Sequence, residues 1–226
     1  MKWEFLLEKA LIHISNTPLK TDDWSLGGGT VLMFYYKHRL SKDIDIFVND
    51  IQLLAYTSPK ISSPIEKSIL SYIDGALFTK IILKEGDIDF ICGGNLTNFP
   101  NRKMNFKGQD IFLQHPTEII AKKVHYRGDT FTVRDIYDLS VVMQNEKDSI
   151  IANKEIFAPK MEVINKRLDK TLKEKTILKD DKIISYDDKQ LPINLKEHIY
   201  NVKKLAKELN PKINIEKSKT DRGYGE

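Results

Sequence analysis

Apolar and polar positions repeat with two different periods along this chain, and the change of period divides it. From Trp3 to Ile14, Phe5, Leu6 and Ala10 recur at helical spacing while Leu7, Leu11 and Ile14 broaden the stripe, which predicts an amphipathic helix. "WSLGGGT" reads as a short strand running into a glycine turn, and "TVLMFYYKHR" has the length and apolar density of a helix. In "DIDIFVND" acids alternate with isoleucines before a short apolar run, the period-two pattern of a strand with one dry face. After a Ser- and Pro-containing connection, "ALFTKIILKEGDIDFICG" reads as two strands joined around Glu85–Gly86, and "QDIFLQHP" as one more short strand.

From Thr117 the period becomes helical throughout. "PTEIIAKKVHYRGDTFTVRDIYDLSVVMQN" holds two helical segments broken near Gly128, with Pro116 before the first and Thr117 placed to cap it. Residues 151–180 read as helical around Pro159, and "NLKEHIYNVKKLAKELN" as an amphipathic helix ending before Pro211; the polar tail "KSKTDRGYGE" is expected to fray. The expected architecture is therefore an α/β domain, a small mixed sheet flanked by helices, over residues 1–145, followed by a helical bundle over residues 146–226.

Composition sharpens this in three places. No stretch approaches the ~20 consecutive apolar residues that span a bilayer, and the N-terminal helix carries acids and lacks a signal-peptide core, so a cytoplasmic protein without membrane contact is expected. The single cysteine, Cys92, fits a reducing compartment and reads as a small buried hydrophobe. Charge is uneven: residues 151–226 hold 18 Lys+Arg against 13 Asp+Glu (+5), leaving 18 against 19 (−1) in residues 1–150. The rear half is either a solvated lysine-rich surface or a face that meets a polyanion.

The chemistry begins at Asp43 and Asp45. Two apart on a strand, both side chains leave the same face, and two adjacent carboxylates suit a hard divalent cation that keeps open positions for phosphate. "GDIDF" offers a third acid, Asp87 or Asp89, again on a shared face, which would complete a two-cation site. A "DxD" pair alone also occurs on wet strand faces. Upstream stands "GGGT", with Thr30 13 residues before Asp43: glycines admit close backbone approach, and amides opening a helix favour phosphate. The turn is not a P-loop, having no Gly-Lys-Ser/Thr ending, nor a dinucleotide fingerprint, since Leu32 occupies the last small-residue position. The five histidines are scattered without zinc-ligand spacing, and Tyr35 and Tyr36 read as packing residues.

"LGGGTVLMFYYKHRLSKDIDIFV" resembles the minimal nucleotidyltransferases of the DNA polymerase β superfamily, and among them the AbiEii/AbiGii toxin family, whose pattern is a Gly-Gly-Thr turn, a helix and Arg-x-Ser-x-Asp-Ile-Asp. Gly28, Gly29, Thr30, Arg39, Ser41, Asp43 and Asp45 fall on that pattern, while Lys42 departs from the Glu often found there. "EIIAKKVHYRGDTFTVRDIYDL" is similar to the family's downstream block, a lysine and an arginine on a helix followed by Arg-Asp-x-x-Asp-Leu. The resemblance covers roughly residues 20–145.

It implies a nucleotidyltransferase fold and transfer of a nucleoside monophosphate from an NTP to a hydroxyl. Asp43, Asp45 and a third acid would hold Mg²⁺ (or Mn²⁺); the family's hydrophobic–Asp–Phe sequence favours Asp89, with Asp87 the alternative. Gly28, Gly29, Thr30, Arg39 and Ser41 would bind nucleotide. Lys123 and Arg127, i,i+4 neighbours, would hold the triphosphate, with Lys122 as the alternative lysine. Asp135 would orient the lysine or act as base, and Arg134 with Asp138 reads as a helix salt bridge. The implied setting is the toxin of a toxin–antitoxin or phage-defence system, with the tRNA 3′ end as acceptor and an antitoxin as partner. The competing readings are transfer to a protein or aminoglycoside-like hydroxyl, and a non-catalytic nucleotide- or nucleic-acid-binding module.

Overall fold

The computed structural model describes residues 2–61, 63–173, 183–186 and 194–213. The chain divides into two compact units, Met1–Ile119 with Ile183–Leu191, and Ile120–Lys182 with Pro192–Glu226. The division falls inside a helix, between Ile119 and Ile120.

The first unit is built on strands β1 (Trp24–Gly27), β2 (Ile44–Val48), β3 (Ile69–Asp74), β4 (Phe78–Leu83), β5 (Gly86–Cys92), β6 (Arg102–Phe106) and β7 (Gln109–Leu113). Among the described residues they form one seven-stranded sheet in the order β3-β4-β5-β2-β1-β7-β6. It is mixed: β2 runs parallel to β5 and β1 parallel to β7, while the other neighbours are antiparallel. Helix α1 (Lys2–Ile14) packs on β2 and β5, placing Leu6, Leu7 and Ala10 over the dry face made by Ile44, Ile46, Ile88 and Phe90. Helix α2 (Gly28–Tyr36) follows β1 without a loop, and the short α3 (Ile51–Leu54) follows β2.

Two strands, β3 and β6, were not expected from the sequence. They are the sheet's two edges, and their side chains are mostly exposed or half-exposed, so no alternation of wet and dry positions marks them. The glycine turn is also tighter than expected, since Gly28 and Gly29 are themselves the first turn of α2. That helix stops at Tyr36 rather than running through Arg39, because Lys37 adopts φ 50° and its N–H closes on the Met33 carbonyl.

Helix α4 (Pro116–Arg127) opens with Pro116 at its first position, where no N–H is needed. Thr117 therefore lies inside the helix rather than capping it, and its N–H donates to His115 Nδ1 at 3.2 Å. The second unit continues with α5 (Val133–Asn145), α6 (Lys147–Ala152), α7 (Lys154–Lys173, containing Pro159) and α8 (Leu195–Leu209). Helix α8 packs against both α5 and α7, burying Ile199, Val202, Leu205 and Ala206 with Leu139, Val142, Ile164 and Leu168. This is the expected helical bundle. The expected helix over 174–180 and the frayed tail over 217–226 lie outside the described residues. Among the described residues no helix is long and apolar enough to cross a membrane.

His13 sits fully buried in the first unit, with Nε2 donating to the Thr57 carbonyl at 2.9 Å and Nδ1 accepting from Ser63 Oγ at 3.1 Å. Burial lowers its pKa from the ordinary histidine value, outweighing the Thr57 bond. The unfolded chain thus takes up this proton first: stability is full above about pH 6.5 and declines as pH falls below it. The His13→Gln variant, which keeps a donor and an acceptor, should lose less melting temperature than wild type between pH 7.5 and 5.5. Equal losses in both proteins would contradict this assignment.

Candidate active site

The site in the first unit is organised by the junction of β1, α2 and β2. Ile44, Ile46 and Val48 are buried on one face of β2, so Asp43, Asp45 and Phe47 project from the other, each half-buried. Asp43 lies one residue before the strand proper but keeps the same phase. In the antiparallel β1–β2 register Asp45 lies opposite Gly27. A Cβ placed on Gly28, which has φ 65°, would fall on the Asp45 carboxylate, so only glycine admits this approach of helix start to acid.

The remaining motif residues close around the same bend. Thr30 Oγ1 donates to the Asp43 carbonyl. A Cβ on Gly29 would lie 2.6 Å from Arg39 Nη2 and 3.0 Å from Ser41 Oγ, and Arg39 is buried. Gly28, Gly29, Thr30, Arg39, Ser41, Asp43 and Asp45 are thus brought together. Gln114, which the sequence reading passed over, is fully buried behind the bend, where its Nε2 donates to Ser25 Oγ at 3.1 Å.

The acids of β5 join this face. Parallel pairing sets Asp89 beside Asp45, and the Asp87 N–H donates to Asp43 Oδ1 at 3.2 Å. Between them stands a residue the sequence reading missed. Lys80 of β4, paired with Asp89 in the antiparallel register, places Nζ 2.7 Å from Asp89 Oδ2 and 3.1 Å from Asp87 Oδ2. Its signal was available: a two-residue turn at Lys84–Glu85 pairs Leu83 with Gly86, which carries Lys80 to Asp89. Burial works against the Lys80 charge, but the bonds and fields of Asp89 and Asp87 outweigh it and raise its pKa. Burial raises the Asp89 pKa; Lys80 pulls it down only in part, while Asp87 and Asp43 add to the rise. Both directions describe one crowded acid face in which the Lys80 ammonium meets Asp87 and Asp89. Among the described residues, no three His, Cys, Asp or Glu side chains stand together as a ready metal cage.

A second cluster belongs to the second unit. Lys123 Nζ lies 2.8 Å from Asp135 Oδ1 and 2.7 Å from Asp138 Oδ2, both acids being buried. Asp135 Oδ2 accepts from Thr132 N at 3.1 Å and Thr132 Oγ1 at 2.9 Å, and Arg127 Nη2 lies 3.1 Å away. Thr132 and Asp135 form a capping box that starts α5. Burial raises the Asp135 pKa, but Lys123, Arg127 and the Thr132 N–H outweigh it and hold the group below the ordinary carboxylate range. The two Asp135 oxygens are thus met by four donors, Lys123 Nζ, Arg127 Nη2, Thr132 N and Thr132 Oγ1. Asp138, expected to pair along the helix with Arg134, also receives Lys123. Lys122 is buried, whereas the Arg127 side chain is half-exposed.

Three substitutions check this geometry. Gly28→Ala should cost about 1–3 kcal/mol for the forced φ and, by displacing Asp45, lower activity at least about 100-fold. Gly94→Ala, where a Cβ meets nothing within 4 Å, should leave both unchanged. Lys123→Met should cost about 3–5 kcal/mol by denaturant unfolding, because Asp135 and Asp138 lose their shared buried cation. A loss below 1 kcal/mol would show that the network is not structural.

A protein-family model described as nucleotidyl transferase AbiEii toxin, type IV TA system, matches residues 9–204. No curated protein matches the chain. Among solved structures, the fold is similar to the nucleotidyltransferase toxin MenT4 of Mycobacterium tuberculosis H37Rv, at 14% identity and a TM-score of 0.56 over 94% of this chain and 84% of that one. A protein of H. pylori matches at 15% identity and a TM-score of 0.49, over 92% and 93% of the two chains. ANT(2″)-Ia in complex with adenylyl-2″-tobramycin matches at 12% identity and a TM-score of 0.46, over 70% and 97%.

Proposed function

This chain belongs to the AbiEii nucleotidyltransferase toxin family, and we propose that it transfers a nucleoside monophosphate from an NTP to a hydroxyl at the 3′ end of tRNA, as the toxin of a toxin–antitoxin pair. Nucleotidyl transfer follows from the family; acceptor, metal and biological setting are our inference. The observation that carries it is the seating of the Asp45 carboxylate against Gly28, with Asp43 alongside, at the first turn of a helix.

In this reading the first-turn amides of α2 receive the triphosphate, a position favoured by the helix dipole. Arg39 and Ser41, packed against Gly29, contact phosphate oxygens there. Asp43 and Asp45 fit a hard cation: they are half-buried carboxylates on one face, and Mg²⁺ takes one or two such groups together with substrate phosphates. When bound, Mg²⁺ supplies charge neutralisation and polarisation at the reacting phosphate. Asp89, beside Asp45 in the register, is preferred to Asp87 as the third acid of the site. In the second unit Lys123 and Arg127 are assigned to phosphate, with Asp135 as the group that positions them.

The RNA acceptor is supported by charge: residues 151–226 carry a +5 balance, and Lys154, Lys166, Lys170, Lys196, Lys204 and Lys207 are exposed on α7 and α8. Binding through such residues weakens steeply with added salt. An antitoxin partner is the corresponding proposal from the family's type IV setting.

Incubating the chain with α-labelled NTPs, Mg²⁺ and total RNA should label a tRNA-sized band. Asp43→Ala with Asp45→Ala should abolish the label, as should excess chelator. Label on protein or on an added aminoglycoside with none on RNA would replace the acceptor. Undiminished label in the double variant would overturn the site.

A further inference from the structure

We propose that one face of α8 is a docking strip for a single-stranded RNA segment: Lys196, Lys204 and Lys207 meet its phosphates, while Tyr200, set among them, stacks on an unpaired base. This rests on RNA as the acceptor and names the part of it that is held, an unpaired end.

The strip follows from the phase of the helix. Helix α8 buries Ile199, Val202, Leu205, Ala206 and Leu209, which commits its opposite side to water. On that side Lys196, Tyr200, Lys204 and Lys207 stand at i, i+4, i+8 and i+11, a single exposed stripe along about 16 Å of axis. The two acids of the helix, Glu197 and Glu208, each come one position later and form a separate line, and Glu208 is engaged by Lys147 at 2.9 Å. Among the described residues no carboxylate pairs with Lys196, Lys204 or Lys207. On α7, by contrast, the exposed Lys166 is answered by Glu162 at 2.8 Å. Lys203 stands apart from the stripe: it is buried and paired with Asp169. Tyr200 is 55% exposed, so its ring is not spent on the core of the bundle. Cations without internal partners, spaced around an exposed ring, can grip a polyanion through its phosphates and a planar base at once. Duplex RNA keeps its bases stacked on one another, so a ring of this kind favours an unpaired segment.

The test is fluorescence anisotropy of the full chain with a 5′-labelled single-stranded oligoribonucleotide and with a blunt RNA duplex, each across a salt series. Lys196→Gln with Lys204→Gln and Lys207→Gln should weaken single-strand binding at least about tenfold and lower the salt slope by about 2, roughly 0.7 for each lost phosphate contact. Tyr200→Ala should weaken it at least about fivefold with the salt slope unchanged, and Tyr200→Phe should retain it. Tyr200→Leu, which keeps apolar bulk without a ring, should behave like Tyr200→Ala. Duplex binding should be indifferent to Tyr200. A lysine variant that binds the single strand like wild type would overturn the proposal, as would Tyr200→Ala that weakens both RNAs alike or neither. Should circular dichroism show the triple variant unfolded, the Tyr200 series decides on its own. Wild type that binds neither RNA would instead sink RNA as the acceptor.

Discussion

The site in the first unit hangs on the absence of one carbon atom. Asp45 approaches the start of α2 so closely that a Cβ on Gly28 would overlap its carboxylate, and Gly28 holds a φ of 65° that other residues rarely adopt. Several arrangements follow from this contact. The strand before the helix must end at Gly27, opposite Asp45; Thr30 must reach the Asp43 carbonyl; Arg39 and Ser41 must return onto Gly29. A helix start thereby faces a carboxylate that would ordinarily stabilise it. In this protein that carboxylate is the proposed ligand of a cation, which brings phosphate and amide to the same bend.

The electrostatics of the sheet face obey a second constraint. Acids accumulate on one side of β2 and β5 because the other side is committed to Ile44, Ile46, Ile88 and Phe90 under α1. Crowding of this kind raises carboxylate pKa values, and Asp89 shows it. Lys80 relieves the crowding where the β4–β5 hairpin delivers it. Strands β2 and β5 are also tied together on this face, where the Asp87 N–H donates to Asp43 Oδ1.

The second unit solves a similar problem by burial. Lys123 is shared by two inaccessible carboxylates, and Asp135 serves simultaneously as helix cap, lysine partner and arginine partner. Such a network fixes the lysine's position at the cost of making it indispensable to folding. Substitution at Lys123 therefore acts on stability first, through the two buried acids it leaves without their shared cation.

The sequence alone determined the elements with strong periodicity and the residues that meet at the glycine bend. Alternating Ile and Asp in "DIDIF" fixes which side chains share a face, because strand period is a property of the backbone; the helical bundle likewise follows from stripes in "NLKEHIYNVKKLAKELN". Glycines before a helix and acids on the next strand were legible as one motif for the same reason. The edge strands β3 and β6 were not legible, since an edge exposed to water imposes no wet–dry pattern. Nor was the partner of Asp89, nor the burial of Asp135 and Asp138 around Lys123. Those depend on which strand lies beside which and which helix turns toward which, and pairing across space is settled by register and packing of the folded chain, not by any local run of residues.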